Sequence, residues 1–132
     1  MLPTAGEQFD LGRLAVERAW VAKYLEAVAD SSPIYTQLNA APPMALAAHV
    51  LGSLIEKLSL PPGTIHATQE LECMSMITLG QEVSCTATLS RPLQRGEWSF
   101  VAAQFTVVGQ GGEALLAGKS TVMVPHSVAQ NG

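Results

Sequence analysis

Histidine is the side chain that titrates near neutral pH, and this chain of 132 residues has three: His49, His66 and His126. His49 stands in a largely apolar stretch, Met44 to Ile55 (MALAAHVLGSLI). The position suits a general base among apolar neighbours, and equally a core or interface histidine with satisfied ring nitrogens. His66 opens a run of alternating polar and apolar residues, where it is either exposed at a strand edge or a ligand contact. His126 falls near the end of the chain and is expected to be inert. Asp30 follows a helical stretch, as a turn former or a working carboxylate. Tyr35 comes five residues later. A phenol has an ordinary pKa of about 10, so it is no base at neutral pH, though it can act as an acid or orient a carbonyl. Packing is the alternative for Tyr35. Cys73 and Cys85 have no metal-type spacing, and no metal or cofactor is expected. Arg91 and Arg95 flank a turn, either solvating it or meeting a phosphate.

The charge pattern excludes several partners. Only 14% of residues are charged, against about 25% in ordinary soluble domains, while 48% are hydrophobic, which excludes disorder. The deficit fits a chain that hides surface in a partner, or one that uses Ser, Thr, Gln and Gly as its polar exterior. A formal charge of −4 and seven scattered basic residues argue against nucleic-acid binding. No stretch approaches the roughly 18 apolar residues of a membrane-spanning helix. The start, MLPTAGEQFD, has neither the basic beginning nor the apolar run of a signal peptide, so a cytoplasmic setting with reduced thiols is expected.

Hydrophobic spacing then places the elements. Phe9 to Val16 reads as a short strand, weakened by Gly12. In ERAWVAKYLEAVAD, Trp20, Tyr24 and Val28 recur every four residues, which predicts a helix over 17–29 ended by Ser31-Ser32-Pro33. A second helix is predicted from Met44 to Ser59, after Pro42-Pro43. Met44, Ala48, Leu51, Ile55 and Leu58 form one stripe, and Ala45, Leu46, Ala47, Val50 and Leu54 fill much of the rest, as in a buried helix. From Thr64 the period becomes two. Ile65, Ala67, Leu71 and Cys73 alternate with His66, Thr68, Glu70 and Glu72, and Val83 to Leu89 alternates cleanly. Strands over 98–108 and 114–124 follow, and residues 126–132 are expected to fray. The order predicts one α+β domain over 1–132, with an ordered core over about 9–125 and an antiparallel sheet wrapped on the helix 44–58.

Four segments carry a family resemblance: YLEAVADSSPIY, APPMALAAHVLGSLI, LPPGTIHATQELECMSMITLGQEVSC and FTVVGQGGEALLAGKSTVMVP. In their order and spacing they resemble the MaoC-like acyl dehydratases and (R)-specific enoyl hydratases, a group with the hotdog fold, over about residues 9–125. The resemblance implies a strand near 65–75 at a sheet edge, pairing with a second copy in a dimer. Cys73 and Cys85 would then lie on non-adjacent strands, both pointing inward, with no disulfide. It also implies an acyl-CoA or acyl-carrier-protein thioester as ligand. Its tunnel would run between helix 44–58 and the inner sheet face, with Tyr24, Pro43, Met44, Ala48, Leu51 and His66 as substrate-binding residues.

In active relatives an Asp and a His after the first helix act on water and on the α-carbon. A backbone amide at the start of the buried helix polarises the thioester carbonyl. Asp30 matches the Asp, but Tyr35 stands at the His position. Pro42-Pro43 replaces His-Gly, and proline has no N–H to donate. Leu51 replaces a helix hydroxyl found in some relatives, and the loop from Tyr35 to Pro42 is short. Two readings follow. One is a hydro-lyase interconverting 3-hydroxyacyl and 2-enoyl thioesters in fatty-acid metabolism, with Asp30 aided by Tyr35 or His49. The other is a non-catalytic acyl-binding subunit paired with an active hotdog chain. Thioester hydrolysis is a weaker third.

Overall fold

Gly12 bends the first strand without ending it. In the computed structural model, which describes residues 5–125, β1 spans Gln8–Ala15, and its pairing shifts register between Asp10 and Gly12. Gly12 adopts φ +93°, a left-handed value that glycine takes without steric cost, and its amide donates to Asp10 Oδ1 at 2.9 Å. The expected tail and His126 lie outside the described residues.

Helix α1 covers Arg18–Ala27 and α2 covers Ile34–Leu38, followed by the two-residue strand β2, Ala40–Ala41. Next comes α3, Pro43–Leu58. The remaining strands are β3 (Ile65–Cys73), β4 (Ile77–Thr78), β5 (Glu82–Leu89), β6 (Leu93–Arg95), β7 (Trp98–Val108) and β8 (Ala114–Pro125). The main sheet is antiparallel in the order β1-β5-β7-β8-β3, with β6 on β7, and β2 pairs separately with β4. Strand β3 is therefore an edge, as the resemblance implied, and Cys73 and Cys85 sit on non-adjacent strands as free thiols. Helix α3 packs on the inner sheet face. Leu46, Val50 and Leu54 form one core with Val83, Cys85, Ala87, Val101, Phe105 and Val122. This is the α+β hotdog arrangement.

Proline explains where α3 begins. Pro42 is its N-cap and Pro43 its first residue, where a missing amide proton breaks no helical bond. The helix ends where Ser59 turns left-handed (φ 48°), ahead of Pro61-Pro62. Its burial differs from the all-round burial expected. Ala45, Leu46, Ala47, Val50, Leu54 and Leu58 are buried, but the stripe through Met44, Ala48 and Ile55 faces outward, with Met44 50% and Ile55 46% exposed. Both stripes are apolar, and a single sheet can cover only one side of a helix.

Two further corrections come from β3. Its pairing with β8 shifts register between His66 and Thr68, so a bulge at Ala67 breaks the expected alternation. His66 lies opposite Val122 on the inner face, although its side chain is exposed, and Ile65 is exposed instead of buried. Cys73 is also exposed, contrary to the inward position expected, whereas Cys85 is buried. Strand β3 is the last strand of the sheet, so among the described residues no further strand covers Cys73. The outer sheet face explains part of the charge deficit, because Thr86, Thr88, Gln104, Thr106 and Thr121 are its polar cover.

Candidate active site

The connection between the first two helices is built by its own polar side chains. Helix α1 ends with Ala29 left-handed (φ 57°) and with the Asp30 amide donating to the Leu25 carbonyl at 2.9 Å. Asp30 Oδ1 accepts the Ser32 amide at 2.9 Å, and Ser32 Oγ accepts the Ile34 amide at 3.4 Å. The Asp30 carboxylate is thus a turn former, and it is half-buried. These bonds lead the chain into α2, a short helix where the resemblance implied a loop. Tyr35 lies on it, half-buried. Asn39 caps α2 in a left-handed conformation (φ 53°), and its carbonyl accepts the Leu79 amide at 2.9 Å.

His49 belongs to a different contact. Its ring stands edge-on to Trp20 of α1, with centroids 6.1 Å apart and planes at 86°. Tyr24 follows Trp20 by one helical turn and is half-buried. Among the described residues no hydrogen bond joins Asp30, Tyr35 and His49. At the start of α3 the Ala45 amide donates to the Pro42 carbonyl at 3.0 Å. With Pro42 and Pro43 lacking amide protons, the Met44 amide is the first donor of the helix, and it has no acceptor among the described residues. His49 is about 7.5 Å further along the axis and roughly 140° around it. Pro43 is half-buried, Met44 and Ala48 are exposed on the uncovered stripe, and His66 is exposed on β3.

Burial lowers the His49 pKa from its ordinary 6.5. The unfolded chain then binds more protons than the folded one wherever pH lies between the two values. Stability is complete above 6.5 and declines as pH falls through the lower folded pKa. Thermal melts from about pH 8 to about pH 5 are expected to show a falling Tm that His49→Gln flattens. An unchanged slope in His49→Gln would assign that dependence to other groups.

The space between α3 and the sheet is narrower than the tunnel expected there. Leu51, Leu54, Leu58, Val101, Val122 and Ser120 are among the residues around a cavity of about 10 Å³, which admits one water at most. The leucines of α3 fill the gap within a single chain. Ser120 is the polar exception on this wall and escaped the sequence reading. It is 2% exposed, and its hydroxyl donates to Gln69 Oε1 at 2.6 Å, joining β8 to β3. The only signal for it was a polar residue at an inward position of β8.

Comparison with known families and structures places this geometry. The model of the family described as FAS1-like, dehydratase domain region, matches residues 4–117. The backbone is similar to that of the (R)-hydratase from A. caviae involved in PHA biosynthesis, with TM-score 0.74, 20% identity, and 93% of this chain and 98% of that one covered. It is similar to the MaoC-like dehydratase from Rhodospirillum rubrum, with TM-score 0.73, 24% identity, and 93% of each chain covered. It is also similar to the HadBC (3R-hydroxyacyl-ACP dehydratase) complex from Mycobacterium tuberculosis, with TM-score 0.73, 15% identity, and 92% of this chain and 98% of that one covered. Comparison with curated proteins gives no match. Among the described residues, no helix is long and apolar enough to cross a membrane.

Proposed function

Because the chain belongs to the family of FAS1-like dehydratase domain regions, we propose that it is an acyl-thioester-binding hotdog subunit of a hydratase or dehydratase assembly, whose general base is supplied by a second hotdog chain. One observation carries this reading: no base and orienting group form a pair among the described residues. Asp30 Oδ1 accepts the Ser32 amide, His49 is turned to Trp20, and Tyr35 stands where the resemblance puts the family histidine. General acid–base catalysis needs the base within hydrogen-bond reach of its proton and held by a neighbour. Among the described residues no side chain holds His49 or Tyr35 in that way.

The surfaces left uncovered fit the same reading. An apolar stripe on α3 and an unpaired edge on β3 are what a second hotdog chain would cover, and HadBC is described as a complex. A homodimer uses the same surfaces, and native mass spectrometry of the chain from its own cell distinguishes the two. The acyl chain would then lie between subunits, since the cavity described between α3 and the sheet is too small for it. A cytoplasmic setting is part of this reading, supported by two free thiols.

The Met44 amide favours a second reading, an autonomous hydro-lyase. It offers a donor one residue beyond the family position, and His49, neutral at pH 7, would be the base. Titration with a 2-enoyl-CoA separates the readings. The binding subunit gives saturable binding without turnover, and the hydro-lyase gives turnover that His49→Ala removes.

A further inference from the structure

We propose that the open edge of β3 takes the edge strand of a second, different hotdog chain, one that carries lysine or arginine opposite Glu70 and Glu72, an assignment that rests on the subunit reading above. Backbone geometry defines the edge. The Met74 amide donates to the Leu115 carbonyl at 3.0 Å, continuing the antiparallel register in which Cys73 lies opposite Leu116. Hydrogen-bonded positions recur at every second residue of such a ladder, so Glu72 and Glu70 also turn their backbone groups to β8. The Glu70 carbonyl oxygen does lie on that side, 2.5 Å from where a Cβ on Gly118 would stand. Gln69, Leu71 and Cys73 are left with amides and carbonyls pointing out of the sheet, where no further strand meets them among the described residues.

Side chains then select what can pair there. Thr68, Glu70 and Glu72 share the outer face of the sheet with Thr121, Lys119 and Ala117, and all three β3 residues are exposed. Against an added antiparallel strand they occupy the non-hydrogen-bonded positions, where opposed side chains come closest. A second copy of this chain meets itself badly in each central register. Centred on Glu70, the two Glu70 carboxylates stand directly opposite one another. Centred on Leu71, each Glu70 faces the other copy's Glu72. Centred on Gln69, Glu70 faces Thr68, but the two Glu70 become diagonal neighbours with Cα atoms roughly 7–8 Å apart. In that register Glu72 falls against the bulge at Ala67. Lys119 reaches Glu70 at 3.4 Å within the chain, whereas Glu72 lies opposite Ala117 and enters no ion pair among the described residues. The formal charge of −4 on each copy adds to the repulsion. A basic edge removes the opposition and supplies Glu72 with a cation.

Charge-swapped copies of the chain serve as the basic-edge partner. The Glu70→Lys/Glu72→Lys chain, labelled with a heavy isotope, is mixed with the wild-type chain, and the dimers are weighed by native mass spectrometry at low salt. The mixed dimer is expected well above the roughly one half that chance pairing gives, with the bias fading as ammonium acetate rises to about 1 M. Glu72→Lys alone, which keeps the Glu70–Lys119 ion pair, is expected to give the same bias at smaller size. Glu70→Gln/Glu72→Gln is expected to strengthen self-association about fivefold. Chance proportions in both mixtures, unchanged self-association of the glutamine variant, or no dimer in any mixture overturns the assignment. Matching melting curves of the variants and the wild-type chain exclude misfolding as the cause. No arm contains a thioester, so chance pairing beside saturable 2-enoyl-CoA binding strikes the edge assignment alone. Biased pairing without thioester binding strikes the acyl-binding reading and leaves the charge selection of the edge standing.

Discussion

Gly118→Ala is expected to lower stability by about 1–3 kcal/mol, which is roughly 5–15 °C in Tm for a chain of this size. Gly118 lies in β8 between Phe105 of β7 and Leu71 of β3. A Cβ at this position would come within 2.5 Å of the Glu70 carbonyl oxygen and within 2.5 Å of Phe105 Cζ. Neither neighbour can yield easily. The carbonyl belongs to the β3 backbone, and Phe105 is 2% exposed in the core. The glycine is required here by close approach, since its backbone is not left-handed. Phe105→Leu in the Gly118→Ala background removes the ring contact and leaves the carbonyl contact. Partial recovery, measured by a double-mutant cycle, is the expected result. Full stability in Gly118→Ala would mean that β3 is held less firmly against β8 than the register describes. That strand carries the edge on which the proposed pairing depends.

The second large effect is a gain. Tyr35→His combined with Pro43→Gly supplies a histidine and an amide at the two positions where the resemblance puts those of active relatives, and tests that correspondence. Hydration of a 2-enoyl thioester is expected to rise at least about 10²-fold above the unaltered chain, because a positioned base alone contributes roughly 10²–10⁴. An added oxyanion donor contributes a factor of similar order. Glycine at the first position of α3 costs little helix stability compared with an interior site, and circular dichroism checks that the helix is intact. Each single variant should give less than the pair. A well-folded double variant with no gain would show that these two departures are not what silences the site.

How legible all this was in the sequence depends on the element. The start of α3 could be placed within a residue, because Pro42-Pro43 suits the first helical turn and no later one. Which side of α3 meets the sheet could not, because both stripes are apolar and periodicity does not rank them. Bulges at Gly12 and Ala67 were hidden for a related reason: one extra residue rephases a strand, and the sequence carries the same alternation on either side. Helix α2 and strands β2 and β4 are too short for periodicity to register. They exist because Asp30, Ser32 and Asn39 build turns and because Ala40–Ala41 finds Ile77–Thr78 across space. In the site, the turn at Asp30 was readable from Asp-Ser-Ser-Pro. The contact of His49 with Trp20 arises from tertiary packing and has no local signal.

The proposed binding subunit binds an acyl thioester without transforming it. Incubation of the purified chain alone, at high concentration, with a series of 2-enoyl-CoA substrates tests this directly through loss of the enoyl absorbance. No loss above the buffer rate is expected, alongside saturable binding of the same substrates. Hydration that Asp30→Asn or His49→Ala abolishes would contradict it and identify the chain as an enzyme in its own right.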